Sequence, residues 1–147
     1  MIAALVFSLG DVPRSCDWTT TGPECVLFAA GDVDGDGFDD VLTVNGAREL
    51  CVAFSVNGWK CTAWTKLAEA PEGAVGIAVL HDRERGAEVC AWTARELVVR
   101  RCEHGALGEP RSVAAPEGAS FGAGETQEGR LVLACGPQAS RTFAWGA

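Results

Sequence analysis

The sequence predicts an all-β protein built from repeated antiparallel units, and three observations support this class. The 147-residue chain contains 18 glycines and 6 prolines, which separate many short apolar runs. None of these runs is long enough for a membrane-spanning helix. The segment Ala47-Arg48-Glu49-Leu50 returns 47 residues later as Ala94-Arg95-Glu96-Leu97, and Pro71-Glu72-Gly73 returns as Pro116-Glu117-Gly118. A period of this length indicates a repeat architecture, which we place in one domain spanning residues 1–147.

Three repeat units are predicted, at about residues 26–73, 74–118 and 119–147. The third unit is one strand short of the four expected in each. We expect N-terminal strands within residues 1–25 to complete it, in the strand exchange by which a ring of repeats closes. These two strands are expected at Ile2–Ser8 and Arg14–Thr19.

Within the units, the strand predictions follow β-branched and aromatic runs that end at turn residues. Asn57-Gly58 is a strong signal for a two-residue hairpin. The predicted strands of the first unit are Val26–Ala30, Asp40–Val44, Leu50–Val56 and Trp59–Thr65. Those of the second are Val75–Leu80, Glu88–Thr93, Glu96–Arg101 and Arg111–Ala114, and those of the third include Arg130–Cys135 and Arg141–Trp145.

The connection between the first two strands of unit one contains an unusual density of carboxylates. Asp32, Asp34, Asp36 and Asp40 occupy positions 1, 3, 5 and 9 of a loop that also contains glycines at 35 and 37. So many carboxylates in one short loop repel each other unless a hard cation binds them, and Ca²⁺ suits a flexible oxygen-rich loop better than Mg²⁺. We therefore predict a calcium site formed by these four side chains, with the backbone carbonyl of Phe38 completing the shell.

The loop is not that of an EF-hand, because position 12 is Thr43 rather than a bidentate Glu and a strand rather than a helix follows. The order of strand, Asp-x-Asp-x-Asp-Gly-x-x-Asp-type loop and strand over Val26–Ala47 resembles the FG-GAP repeat of integrin-α-type β-propellers. Phe121-Gly122 in the third unit matches the Phe-Gly of that repeat. The Pro of the family's Gly-Ala-Pro segment is replaced in Asn45-Gly46-Ala47.

This resemblance implies a β-propeller with about three four-stranded blades per chain. Because a propeller normally needs at least four blades, we expect two chains to pair as a homodimer and to close a six-bladed ring. The alternative fold is a β-trefoil, in which three units of this length form twelve strands that close without a partner. The position of the calcium loop between the first and second strands favours the propeller.

The corresponding loops of the other units have lost the ladder of aspartates. In the second unit, acids remain at Asp82, Glu84 and Glu88, but Arg83 and Arg85 lie between them. We interpret this loop as a degenerate site in which an arginine replaces the cation. The third loop, residues 124–129, is not expected to bind a metal.

Charge and motifs limit the classes of function. The net charge of −8 argues against nucleic acid or an anionic membrane as a partner. The sequence contains none of the common hydrolase, metalloprotease or nucleotide-binding motifs, so we do not expect an enzyme, and a hydrolase is the least favoured alternative. A binding or adhesion module for a protein or carbohydrate ligand is the favoured function, with a calcium-supported lectin as the alternative.

Two residue types leave alternatives open. Five tryptophans either pack between blades or line ligand sites, and Trp59 and Trp92 are the candidates for ligand contact. The seven cysteines include no Cys-x-x-Cys pair and are either structural thiols or partly disulfide-bonded. The cysteines and the calcium requirement slightly favour an extracellular or cell-surface location, although the N-terminal segment lacks a clear signal peptide.

Overall fold

A computed structural model describes residues 24–56, 60–82, 86–126, 129–135 and 140–144, and for Lys60, Asp82 and residues from 125 onward only the backbone is described. The described residues form antiparallel β-strands and no helix, so the predicted all-β class is confirmed. Within these ranges no helix has the length and hydropathy of a membrane span. The predicted N-terminal strands Ile2–Ser8 and Arg14–Thr19 lie outside the described residues.

The first sheet has four antiparallel strands in the order β1-β2-β3-β6, and a separate two-stranded ribbon, β4-β5, interrupts it between β3 and β6. The strands are β1 (Cys25–Gly31), β2 (Asp40–Asn45), β3 (Glu49–Ala53), β4 (Ser55–Val56), β5 (Lys60–Cys61) and β6 (Thr65–Glu69). Antiparallel neighbours joined by short turns pair in chain order, which explains the meander from β1 to β3.

The ribbon corrects two strand predictions in the first unit. The predicted strand Leu50–Val56 breaks at Phe54, and the predicted strand Trp59–Thr65 is not the fourth strand of the sheet, whose place is taken by β6. Phe54 instead exchanges hydrogen bonds with Thr62: the Phe54 N–H donates to Thr62 Oγ1 at 3.0 Å, and the Thr62 N–H donates to the Phe54 carbonyl at 2.8 Å. The Asn57-Gly58 turn itself lies outside the described residues.

The second sheet is another antiparallel meander, in which the long strand β9 pairs with β8 on one side and with both β10 and β11 on the other. Its strands are β7 (Gly76–Asp82), β8 (Gly86–Trp92), β9 (Glu96–Glu103), β10 (Ala106–Leu107) and β11 (Arg111–Ala114). The predicted bounds of β11 agree with those observed. The third sheet has the order β12-β13-β14, formed by β12 (Ser120–Thr126), β13 (Gly129–Cys135) and β14 (Ser140–Ala144).

Matching turns join corresponding strands of the first two sheets. The Asn45 side chain accepts hydrogen bonds from the Ala47 and Glu49 N–H groups between β2 and β3. Thr93 Oγ1 accepts hydrogen bonds from the Arg95 and Glu96 N–H groups between β8 and β9. Small polar side chains favour tight turns when they accept hydrogen bonds from backbone N–H groups a few residues ahead. The same type of hydrogen bond therefore stabilises both turns.

Strand β8 of the second sheet is buried on both faces, and its side chains alternate between two cores, whereas β11 is largely exposed. On one face Ile77, Val79 and Val89 belong to a core shared with Leu42 and Val52 of the first sheet. The other face forms a second core, against which Phe121 of β12 packs. Its buried members are Ala78, Leu80, Cys90, Trp92, Leu97 and Val99. The first two sheets therefore pack face to face, and β7 contacts both β1 and β12.

The described cysteines are not disulfide-bonded. They are Cys25, Cys51, Cys61, Cys90 and Cys102. Cys90 is fully buried in the second core, and this burial raises the pKa of its thiol to about 12. Among these five residues the structure therefore favours structural thiols over disulfides, which the sequence left open.

Candidate metal centre

The acidic loop joins β1 to β2 at the end of the first sheet, and two glycines determine its path. Gly35 and Gly37 have φ angles of 84° and 92°, in the left-handed region that residues with a Cβ rarely adopt. The loop folds tightly there, while Val33 points inward and is only 1% exposed in the core. Val33 thus anchors the loop in the core, and the chain turns sharply at Gly35 and Gly37.

Asp32 organises the curled part through backbone N–H groups. Its Oδ1 accepts hydrogen bonds from Gly35 N at 2.7 Å and Asp36 N at 3.1 Å, and its Oδ2 accepts one from Gly37 N at 2.9 Å. Asp34 Oδ1 accepts from Asp36 N at 3.1 Å, and Asp36 Oδ1 accepts from Phe38 N at 2.8 Å. Aspartates in tight turns commonly accept such bonds, and here they hold the carboxylates in place.

Asp40 is the most buried of the carboxylates, with 0% exposure. Its Oδ2 accepts a hydrogen bond from the Val33 N–H at 2.8 Å, and its Oδ1 accepts one from the Ser55 N–H at 2.7 Å. Ser55 belongs to β4, so this side chain connects the loop to the ribbon that leaves the sheet. The Ser55 N–H is directed to Asp40 instead of to a strand neighbour, which explains why the predicted strand Leu50–Val56 breaks here.

The structure brings together three of the four predicted side-chain ligands. Oxygen atoms of Asp32, Asp34 and Asp40 all lie within 4.8 Å of one another, and this group could hold a metal ion. Asp36 is exposed and lies outside the group. Each carboxylate oxygen has two lone pairs, so an oxygen that accepts one N–H group, such as Asp32 Oδ2, keeps capacity for a cation, whereas Asp32 Oδ1 already accepts two. The carbonyl of Phe38, predicted as a further ligand, stays a prediction.

Electrostatics in the group favour a positive charge. Burial raises the pKa of Asp40, and the neighbouring Asp34 charge adds to this, although the hydrogen bonds from Ser55 and Val33 oppose it. Burial also raises the pKa of Asp34, with further contributions from Asp36 and Asp32. Both shifts mean that the carboxylates lack compensation for lost hydration and mutual repulsion, which a bound cation would supply.

A cleft of about 360 Å³ opens beside the acidic loop, between the first and second sheets. Asp34 and Gly35 line one side, and Arg101, Glu103 and His104 line the other. Of the three grouped carboxylates, Asp34 is the one that lines this cleft.

In the second unit an arginine pairs with the buried acid. Glu88 is 5% exposed, and its Oε1 accepts a hydrogen bond from Arg111 Nη2 at 2.8 Å. Glu88 lies two residues before Cys90, which pairs with Val99, as Asp40 lies two residues before Leu42, which pairs with Val52. The sequence suggested Arg83 or Arg85 for this role, and both lie outside the described residues. The sequence did not identify Arg111 as the partner of Glu88, because the two residues are 23 positions apart along the chain.

The two tryptophans proposed as ligand contacts have different outcomes. Trp92 is 8% exposed and packs in the second core, where a Cβ at Gly76 would overlap its indole ring. Trp92 thus packs between sheets, as in the packing alternative stated for the tryptophans, and has little surface left for a ligand. Trp59 lies outside the described residues.

Comparison with protein-family models, with curated proteins and with solved structures finds no match to this chain.

The packing of Trp92 predicts an asymmetry between two glycine substitutions. Gly76→Ala should destabilise the protein by about 1–3 kcal/mol, because the added methyl group overpacks a buried aromatic ring. Gly122→Ala is the matched control, since a Cβ there has no heavy atom within 4 Å. Chemical denaturation monitored by tryptophan fluorescence measures both. Equal stability of the two variants would contradict the packing of Trp92 on Gly76.

The hydrogen bonds of Asp40 predict a role in stability without any metal. In a chelator, Asp40→Ala should lower the free energy of unfolding by about 2 kcal/mol or more, because it leaves the buried N–H groups of Val33 and Ser55 unpaired. Glu72→Ala removes the same charge from an exposed position outside the loop and should change the stability much less. Urea denaturation in EDTA compares the two, and equal losses would contradict a special role for Asp40.

Proposed function

We propose that this protein is a non-catalytic, calcium-stabilised binding module related to FG-GAP-type β-propeller repeats. The observation that carries the proposal is the convergence of Asp32, Asp34 and Asp40 within 4.8 Å in a glycine-containing turn between two strands. Two features support the predicted type of calcium loop. The aspartates converge, as their spacing predicts, and the loop lies between the strands β1 and β2.

Calcium is the proposed ion because the donors are hard oxygens on a flexible turn. Ca²⁺ accepts six to eight oxygen ligands in variable geometry, whereas Mg²⁺ demands a near-ideal octahedron. Asp32, Asp34 and Asp40 would supply three carboxylates. Asp36 and the Phe38 carbonyl would complete the shell after a small movement of the exposed part of the loop, between Gly35 and Asp39.

The ion would be structural rather than catalytic. Its proposed ligands lie in the turn that joins β1 to β2, and Asp40 also ties that turn to Ser55 of β4. Both oxygens of Asp40 accept backbone N–H groups, so this carboxylate is committed to positioning the chain. A cation there would strengthen a junction of three strands and would stabilise the folded state by linkage.

The proposed ligand is a protein or a carbohydrate, and the structure weakens one of the two candidate sugar contacts. Of the two tryptophans that the lectin alternative relied on as stacking platforms for sugars, Trp92 is buried in the second core and Trp59 lies outside the described residues. The first two sheets share one core, and β7 is in contact with both β1 and β12. This order supports a propeller-like arrangement, in which exposed loops at one end would form the binding surface.

The metal assignment predicts a calcium-dependent gain in stability. At a free Ca²⁺ concentration about 100 times the Kd, binding should stabilise the protein by about 2.7 kcal/mol and raise Tm by roughly 5–10 °C relative to EDTA. Asp34→Ala should abolish this shift because it removes a ligand, whereas Asp39→Ala should retain it. Differential scanning calorimetry provides the measurement. A wild-type protein without any shift in millimolar Ca²⁺ would overturn the assignment.

The calcium effect should also depend on pH. Without a metal, burial raises the pKa of Asp34 and Asp40 above the ordinary value of 3.8, so the folded protein takes up protons at a higher pH than the unfolded chain. This contribution to stability is fully present below the unfolded-state pKa and is lost as the pH rises through the folded-state pKa. Ca²⁺ needs the ionised carboxylates, so protons compete with it.

The Tm difference between calcium and EDTA should therefore shrink as the pH falls from about 7 to about 4, and it should do so at higher pH than an ordinary aspartate would require. Paired melting curves over this range measure the difference at each pH. A difference that is constant down to pH 4 would mean that the ion does not bind to Asp34 and Asp40.

A further inference from the structure

A cleft of about 750 Å³ lies at one end of the second sheet, and we call it the β9 cleft. Its walls come from the start of β8, the end of β9, strand β10 and the connection from β10 to β11. Small-molecule sites in proteins are concave and usually measure about 300–1,000 Å³. The β9 cleft therefore has the volume of a ligand site, and it is separate from the acidic loop.

A buried ion pair lines the β9 cleft. Glu88 is 5% exposed, and its Oε1 accepts a hydrogen bond from Arg111 Nη2 at 2.8 Å. The Arg111 side chain is 58% exposed, so this guanidinium group reaches from the buried acid to solvent. Arg101 is the residue opposite Glu88 in the pairing of β8 with β9, and cross-strand partners lie on the same face of a sheet. Two arginines thus border one buried carboxylate.

A second ion pair lies on the wall formed by β9. Arg101 Nε is 3.3 Å from Glu103 Oε1, and their side chains are 53% and 69% exposed. Glu109 also lines the cleft and is exposed. Because exposed ion pairs are weak, Arg101 and Glu103 can exchange their mutual contact for contacts with a ligand at little cost.

Several contacts hold the wall of the β9 cleft in place. The Gly108 N–H donates to the Arg101 carbonyl at 2.9 Å, and Arg100 Nη1 donates to the Gly108 carbonyl at 3.1 Å. In the turn from β9 to β10, Gly105 has a φ of 78°, and a Cβ added there would lie 3.1 Å from Cζ of Phe54. The turn is therefore packed against the first sheet, and the cleft is formed before any ligand binds, which lowers the entropy cost of binding.

The charges of the β9 cleft favour a neutral polar ligand. Glu88 is paired with Arg111 and Glu103 with Arg101, so the cleft offers carboxylate acceptors and guanidinium donors side by side. An anionic ligand would meet the carboxylates of Glu103 and Glu109, and a cationic ligand would meet the two guanidinium groups. A ligand that donates and accepts hydrogen bonds without a net charge avoids both repulsions.

Sugar hydroxyl groups fit this pattern better than a peptide does. Each hydroxyl group donates one hydrogen bond and accepts others, so adjacent hydroxyls can use a carboxylate and a guanidinium group together. A peptide is usually anchored by a large apolar side chain in a well-packed pocket. The apolar side chains among the described residues of this cleft are Ala106 and the half-buried Leu107, which suit the C–H surface of a sugar ring.

We propose that the β9 cleft is a binding site for an uncharged carbohydrate, with Arg101 and Arg111 as hydrogen-bond donors and Glu103 and Glu109 as acceptors. The proposal rests on the proposed binding function and names its ligand class and its location. Glu88 is a positioning residue, because it holds Arg111 from a buried site.

The first test is a glycan array that carries neutral, sialylated and sulfated oligosaccharides, with a peptide array in parallel. Wild-type protein should bind neutral glycans. Binding confined to sialylated or sulfated glycans, binding to peptides alone, or no binding by folded protein would each overturn the proposal.

The second test locates the site by isothermal titration calorimetry with the neutral glycan that gives the strongest array signal. Arg101→Ala and Glu109→Ala should each raise the Kd at least about 10-fold, because each removes a charged hydrogen-bond partner. Arg95→Ala and Glu117→Ala are the matched controls, since both residues are exposed and lie in turns outside the cleft. Melting curves check that all four variants fold. Unchanged affinity in Arg101→Ala and Glu109→Ala would overturn the site.

The dependence on salt tests the absence of charge on the ligand. The Kd of wild-type protein should change less than about 2-fold between 50 and 500 mM NaCl, because screening acts on charged partners and hardly on neutral ones. A Kd that rises about 10-fold over this range would mean that the ligand is bound as an ion and would overturn the proposal.

Failure of the β9 cleft and failure of the calcium site are distinguishable. Glu109→Ala should lose glycan affinity and keep the calcium-dependent shift in Tm, because Glu109 lies outside the acidic loop. A wild type that shows the shift but binds no glycan would overturn the carbohydrate site alone. A wild type that binds neutral glycans without any calcium-dependent shift would support the carbohydrate site and overturn the metal assignment alone.

Discussion

The buried carboxylate of Asp40 is the interaction on which the acidic loop and its surroundings depend. Asp40 has no exposed surface, and it accepts the N–H groups of Val33 and Ser55 at 2.8 and 2.7 Å. It therefore joins the loop, the second strand and the ribbon β4-β5 at one point. Removing a carboxylate from water is unfavourable without compensation, and two backbone donors compensate only part of the loss. The raised pKa of Asp40 reflects this deficit, and a cation shared with Asp32 and Asp34 would remove it.

The same constraint connects the site to the fold. Val33 lies between Asp32 and Asp34 and is anchored in the core between the first and second sheets, so the two outer carboxylates flank a fixed side chain. The second unit compensates its buried acid differently, because Arg111 from β11 donates to Glu88 at 2.8 Å. The two units thus place an acid at a corresponding strand position, one beside a candidate cation site and the other beside a guanidinium group. A cation and an arginine are alternative sources of the same positive charge.

Local sequence signals predicted much of this structure. The all-β class, β11 and the loop between β1 and β2 followed from strand propensities, turn residues and the spacing of the aspartates. The sequence did not predict the break at Phe54, because the Asp40–Ser55 hydrogen bond joins residues 15 positions apart and leaves no pattern in either strand. The sequence also did not predict the pairing of Arg111 with Glu88, because the two residues are 23 positions apart and an arginine in a strand is usually exposed. Trp92 was ambiguous because an indole ring fits both a core and a ligand site, and only the proximity of Gly76 distinguishes them.

The central claim is that Asp32, Asp34 and Asp40 form a site for one calcium ion per chain. Isothermal titration calorimetry of Ca²⁺ into metal-stripped protein tests it most directly, with Mg²⁺ titrated in parallel under the same buffer. We expect saturable binding of one Ca²⁺ per chain, with a clearly lower Kd than for Mg²⁺. Heats no larger than those of dilution up to millimolar Ca²⁺, in protein shown to be folded, would contradict it.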